Sequence, residues 1–186
     1  MATTLDLLHA GYIKDGGSRV ASSISLIRDG DAILIADPGM VARRSLITDS
    51  LAALGVAPGA VTHVWFSHHH PDHTMNVALF PNAEVVDFWA RYKDDLWLDH
   101  EGDGYHVTPH AIMWLTPGHT EEDTTLIVEA DDGVHALTHL WWRPDRSPEV
   151  DPYAFDQAAL ERGRERVLAV ADVVIPGHGD RFRVSR

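Results

Sequence analysis

The 186-residue chain contains no cysteine, which excludes disulfides and thiolate metal sites and makes the cytoplasm the default expectation for its location. It has no apolar run near the roughly 20 residues needed to cross a bilayer, so no membrane association is expected. Its opening, MATTLDLLHAGYIKDGG, lacks a basic segment followed by a long apolar stretch and a small-residue cleavage site, so no secretory signal is read there. Base is also scarce: 15 Lys and Arg stand against 28 Asp and Glu, a formal net charge of −13. The densest basic stretch, ERGRERV (161–167), alternates with glutamate and reads as a solvated helix face. Extended nucleic acid is therefore a poor partner, though not an excluded one, and a small-molecule substrate is the better expectation.

Thirteen histidines are present instead. With apolar residues at 45% and charged residues at 23%, the rest of the composition is that of an ordinary globular protein. Residues 1–186 read as one domain, large enough to bury a substantial core. The composition does not indicate an oligomeric state.

The pattern along the chain mixes strands and helices. SSISLI (22–27) and AILIAD (32–37) flank a turn-rich Arg28-Asp29-Gly30-Asp31. VARRSLITDSLAALG follows with near-helical apolar spacing and Gly55 at the expected C-cap. VTHVWFS (61–67) and EVVDFW (84–89) read as strands, and RYKDDLWLDHEGDG as a loop. The second half offers strands at AIMWLTPG (111–118), TTLIVEA (124–130) and VHALTHLWW (134–142), a Pro-rich loop RPDRSPEVDP, a helix YAFDQAALERGRERVLAVA and a last strand VVIPGHG (173–179). Two strand-rich halves, each followed by a helix, suggest two sheets packed face to face with helices outside.

The chemistry concentrates in Ser67-His68-His69-His70-Pro71-Asp72-His73. His68 and His70 are two apart, so an extended backbone projects them to one side, while Asp72 and His73 at a helix entry reach a second point. Imidazole and carboxylate are zinc ligands; the bland alternative is a solvated loop in which Asp72 caps the helix. His119 and His178 each follow an apolar strand in a Pro-Gly-His turn, so three strand ends converge on one edge.

H-x-H-x-D-H, then Gly-His-Thr, then Pro-Gly-His-Gly resembles the signature order of the metallo-β-lactamase superfamily over nearly the whole chain. The segment Leu34-Ile35-Ala36-Asp37-Pro38-Gly39 looks like that family's early strand, whose aspartate is usually structural. GVAPGAVTHV and the tail RVLAVADVVIPGHGDRFRV look most like the metallo-β-lactamase domain-containing protein 1 family and its bacterial relatives. The resemblance implies an αββα sandwich, an α/β fold of two mixed sheets, and a site for two zinc ions at the sheet edges. By motif, His68, His70 and His119 would hold the first ion and Asp72, His73 and His178 the second. A metal-bound hydroxide would be the nucleophile, with Asp72 as the catalytic residue that orients it.

One position departs from the family pattern. The bridging aspartate usual at the end of the strand 134–138 is replaced by His139. An imidazole cannot bridge two cations as a carboxylate does. His139 is then a terminal ligand of the second metal, a sign of a weakened second site, an introduced change, or a non-ligand at a strand end. Iron or manganese stays open as the metal for the same reason.

His69, between two candidate ligands, should point to the opposite side, and His63 reads as a packing residue. His9, His100, His106, His110 and His135 read as structural or exposed. Phe88-Trp89, Trp97 and Trp141-Trp142 read either as an apolar rim of the site or as core, and Arg143 or Arg146 either as a contact for a substrate carboxylate or, more commonly, as a surface arginine. No substrate-binding residue is fixed by a motif. Hydrolysis of a small ester, lactone, thioester or amide is the leading expectation. The resemblance also carries a phosphodiesterase or ribonuclease alternative, and the histidine-rich site a non-hydrolytic or redox-iron one.

Overall fold

The computed structural model describes residues 2–185. The first half supplies β1 (Thr4–His9), β2 (Tyr12–Lys14), β3 (Arg19–Ala21), β4 (Ile24–Asp29), β5 (Ala32–Ala36), α1 (Ser45–Ala53), β6 (His63–Trp65), α2 (Pro71–Thr74), β7 (Glu84–Val86), β8 (Arg91–Lys93) and β9 (Leu96–Leu98). The second supplies β10 (Tyr105–Thr108), β11 (Ala111–Leu115), β12 (Thr124–Ala130), β13 (Gly133–Thr138), α3 (Gln157–Leu168), β14 (Val173–Pro176) and β15 (Phe182–Arg183).

These strands form two mixed sheets, in the orders β1-β4-β5-β6-β7-β8-β9 and β10-β11-β12-β13-β14-β15, with β2 and β3 as a separate ribbon. Neighbouring residues on a strand face opposite layers. Ile27, Leu34, Trp65, Leu126, Leu137 and Ile175 fill the space between the sheets. Leu26, Ile35 and Val64 pack outward with Ile47 and Leu51 of α1, while Ile127, Ala136 and Val174 pack outward with Leu160 and Val167 of α3. Sheets covered on both faces explain why the central strands read as nearly continuous apolar runs. The architecture is the expected αββα sandwich.

Each helix lies within its half as well as outside its sheet. α1 joins the parallel pair β5 and β6, and α3 joins the parallel pair β13 and β14, as parallel pairing requires a crossover. This sets the polarity that matters. The C-terminal ends of β5, β6, β11, β13 and β14 and the N-terminal end of β4 share one edge, and every Pro-Gly-His turn opens there.

α1 ends where the sequence placed its stop. Gly55 takes φ 71°, its N–H reaches Ala52 O and that of Val56 reaches Leu51 O, a Schellman closure. α3 is shorter than the periodic stretch because Asp156 caps it, accepting from the Ala159 N–H at 3.0 Å.

Three expectations need correction. The stretch read as a loop at 91–104 contains the β8–β9 hairpin, turned at Asp94 in the left-handed region and closed by an edge-to-face contact of Tyr92 with Trp97; strands of three residues carry too little alternation to be read. The ERGRERV face is not wholly solvated. Arg164 is buried, and its guanidinium donates to the carbonyls of Leu140, Pro148 and Glu149, pinning the loop after β13 to α3. Lastly, the helix expected to begin at Asp72 and His73 is a single turn, α2, which starts at Pro71, contains both residues and ends at Thr74, with only a short 3-10 turn, Val77–Leu79, beyond it. Among the described residues no helix is long and apolar enough to cross a membrane.

Candidate metal centre

The shared edge collects all seven candidate ligands. His68, His73, His119, His139 and His178 are buried, while His70 is exposed at the mouth and Asp72 half-buried. Nδ1 of His70 lies 3.0 Å from Nε2 of His68 and 3.3 Å from Nε2 of His119. Asp72 Oδ2 lies 3.5 Å from Nε2 of His73 and 3.6 Å from Nε2 of His178. Nε2 of His139 is 3.2 Å from Nε2 of His178. A tetrahedral ion with bonds of about 2.0–2.1 Å separates its ligand atoms by about 3.4 Å, so both groups have the spacing of coordination sets.

The outer hydrogen bonds decide the tautomers. Carboxylates and carbonyls only accept, so the ring proton of His73 sits on Nδ1, facing Asp37 Oδ2 at 2.8 Å. For the same reason that of His119 sits on Nδ1, facing Asp151 Oδ2 at 2.8 Å, and that of His178 on Nδ1, facing Ala21 O at 2.9 Å. Ser67 gives its one hydroxyl proton to Asp37 Oδ2, so its oxygen can only accept from Nδ1 of His68 at 3.0 Å. Four Nε2 lone pairs are thereby turned inward. That of His73 is buried with no hydrogen-bond partner. Converging bare lone pairs beside a carboxylate fit a divalent cation and fit little else.

The electrostatics agree. Burial, then the neighbouring imidazoles, push His68 and His139 well below the usual histidine range and His178 down to about 4. Burial and His119 also lower His70. His73 goes the other way: burial would lower it, but the Asp37 carboxylate outweighs that and raises it.

Local backbone builds these positions. Asp37 turns through φ 50° directly after β5, and its Oδ1 takes the Ser67 N–H at 2.7 Å, locking the start of the histidine segment to β5. Gly39 lies so close to Asp72 that a Cβ there would meet the Asp72 carbonyl. His139 packs on Gly177, where a Cβ would fall 2.3 Å from its Cδ2. His139 groups both with His68 and His119 and with His73 and His178, yet its Nδ1 is buried without a partner. It therefore lacks the outer support given to His68, His73, His119 and His178.

Sequence reading missed that support. Asp151, in the Pro-rich loop, carries no motif, and the Ala21 carbonyl carries no side-chain signal at all. His69 does point away, to Asp87 at 2.8 Å. The tryptophans divide. Trp141 is buried, and Trp89 and Trp97 line a separate apolar cavity with Phe66 and Tyr92. Of these, Trp142 borders the candidate ligands, across a cavity of about 530 Å³ that also meets Arg143, Tyr153 and the β2–β3 ribbon. Arg146 instead lies over the Phe182 ring.

Known proteins are similar to this chain in sequence and fold. The sequence profile of the metallo-beta-lactamase superfamily matches residues 17–184. Metallo-beta-lactamase domain-containing protein 1 of Xenopus laevis is 33% identical over 199 residues, covering 98% of this chain and 82% of that protein. The human protein of the same name is 39% identical over 163 residues, covering 83% of this chain and 60% of its own length. Among solved structures, a metallo-beta-lactamase-type protein of Thermotoga maritima superposes with TM-score 0.78 at 18% identity, over 98% of this chain and 100% of that one. An N-acyl homoserine lactone hydrolase with its product bound at the catalytic metal centre gives 0.69 at 16% identity, over 95% and 92%.

Proposed function

The chain belongs to the metallo-beta-lactamase superfamily and is a metallo-hydrolase, and from that premise we propose that it hydrolyses a small ester, lactone, thioester or amide at a two-zinc centre. The observation that carries the reading is the set of inward Nε2 lone pairs, each fixed by a proton committed outward. In this reading His68, His70 and His119 hold one ion, and Asp72, His73 and His178 the other. His139 completes the second set as a terminal ligand in place of a bridging carboxylate.

Zinc held there would polarise the scissile carbonyl and bring the pKa of water toward about 7. The chain's own residues do the rest. Asp72, which borders the cavity, accepts a hydrogen bond from the attacking water, aims it at the carbonyl carbon, takes its proton and returns it to the leaving oxygen, sulfur or nitrogen. Asp37, Asp151 and the Ala21 carbonyl keep His73, His119 and His178 in the ligating tautomer throughout. Trp142 and the ribbon shield the reacting group from bulk water. The cavity, at about 530 Å³, is of the size that takes one small molecule, and the −13 chain disfavours a long polyanion.

The test is metal analysis of untagged protein purified without added metal, followed by turnover on ester, lactone, thioester, amide and RNA panels. About two zinc per chain with turnover of a small carbonyl substrate is expected. A tightly held iron without hydrolysis, cleavage of RNA alone, or full activity in His70→Ala would each overturn the assignment.

A further inference from the structure

The cavity beside the histidines is asymmetric in a way that selects a ligand. One wall is aromatic, with its indole held in place. The Trp142 ring stands 6.0 Å from that of His119 and 6.3 Å from that of His139, so it adjoins the candidate ligands. Asp151 fixes it, accepting from the indole Nε1 at 2.9 Å. Tyr153 lies parallel to it, within 9° at 5.8 Å, and its backbone N–H is held by the other oxygen of Asp151 at 2.8 Å. Ile13 and Val20 of the ribbon supply further apolar surface. A wall already held in place costs a ligand little ordering entropy.

The rim carries cations. Lys14 and Arg143 both border the cavity. Several of the chain's other arginines have acid partners, as Arg19 with Asp15, Arg28 with Asp6, Arg91 with Glu84 and Arg166 with Asp103. Among the described residues neither Lys14 nor Arg143 makes an ion pair. Lys14 rests over the Tyr12 ring at 4.5 Å, and Asp145, which feels the charge of Arg143 without an ion pair, accepts from Ser147. The acids on this lining are Asp15, which faces Arg19 at 3.8 Å, and Asp72, whose charge divalent cations would more than cancel. With divalent cations at the histidines, this mouth of a strongly acidic protein would carry a local positive charge.

We propose that this cavity binds small aryl carboxylates, the planar apolar body against Trp142 and Tyr153 and the carboxylate between Lys14 and Arg143. The substrate of the hydrolase is then an anionic aromatic or similarly flat ester, lactone or thioester rather than a neutral one. This assignment of substrate class rests on the hydrolytic reading of the same site. The binding itself is measurable without turnover.

Calorimetric titration with 2-naphthylacetate and with its neutral amide separates the two claims. At low ionic strength the acid should bind about tenfold more tightly than the amide, as expected for charge-assisted contacts at a partly exposed rim, and the preference should shrink in high salt. Lys14→Gln combined with Arg143→Gln, both at exposed positions, should bring the ratio to about one while the amide binds as before. Trp142→Leu should weaken both ligands. Equal binding of acid and amide, no binding of either, or a preference that survives in the double variant would overturn the proposal. That last outcome would place the carboxylate on the metals instead. Failure of the hydrolytic reading would show separately, as absence of turnover on every ester and lactone despite an intact acid preference.

Discussion

Asp151 Oδ2 accepts the Nδ1 proton of His119 at 2.8 Å. Both side chains are buried, and the same oxygen takes the Trp142 indole N–H. The His119 hydrogen bond holds Asp151 below the ordinary carboxylate range against the opposing effect of burial. One carboxylate thus aims a candidate ligand and the aromatic wall beside it.

Asp151→Asn should therefore loosen both. An amide keeps one acceptor oxygen for His119 and Trp142 but turns its NH2 on the Tyr153 N–H that Oδ1 now accepts and removes the negative charge, so the His119 ring is held less firmly in its tautomer. Outer-shell substitutions of this kind weaken metal binding by about 10–100-fold. Competition with a chromophoric chelator measures the change, and an unaltered affinity would remove Asp151 from the account.

His139→Ala tests the departure from the family pattern. Nε2 of His139 lies 3.2 Å from Nε2 of His178, so the loss of this terminal ligand of the second set should spare the ion at His68, His70 and His119 and remove the other. Metal content should fall from about two per chain to about one, read by elemental analysis alongside circular dichroism. Retention of both ions would make His139 a bystander.

Gly177→Ala reaches the same ring from behind. The new Cβ would lie 2.3 Å from His139 Cδ2, far inside van der Waals contact, so the ring must leave its place. Since Gly177 itself offers no ligand atom, loss of the second metal with retained secondary structure would show that the position of the imidazole matters. Metal content like that of the unaltered protein would show that the ring can move freely without consequence.

At the opposite edge, Asp29 gives a prediction independent of metal. Burial would raise its carboxyl, but hydrogen bonds from Thr108, from the backbone and ring of His110 and from Thr3 outweigh it and hold the group at about 2. A depressed folded-state pKa gives stability that is present above the unfolded value of 3.8 and lost as pH falls toward about 2. Asp29→Asn should cost about 1–3 kcal/mol at neutral pH. Urea unfolding of the two proteins should converge between pH 4 and 2; a gap constant with pH would contradict the assignment.

The local elements were largely legible because their causes are local. Gly55 stops α1 by its own conformational freedom, and His68 and His70 share a side through the period of an extended chain. The hairpin at 91–98 was not legible, since two three-residue strands in a charged stretch leave no period to detect. Arg164 was misread because sequence shows the alternation of ERGRERV but not the three carbonyls that receive its guanidinium.

By itself, then, the sequence determined the layered fold, from alternating apolar strands with helices between them, and the candidate ligands, because each sits in a short motif at a strand end. Only the tertiary structure decided what surrounds them. Asp151 meets His119 across 32 residues and the Ala21 carbonyl meets His178 across 157, contacts that leave no periodic trace. Likewise Trp89 and Trp142 look alike in sequence, but they follow strands of different sheets: Trp89 meets His69, whereas Trp142 comes down beside His119 and His139. Motifs record what one segment can do, whereas the partners behind the ligands and the cavity walls exist only once the two sheets are brought together.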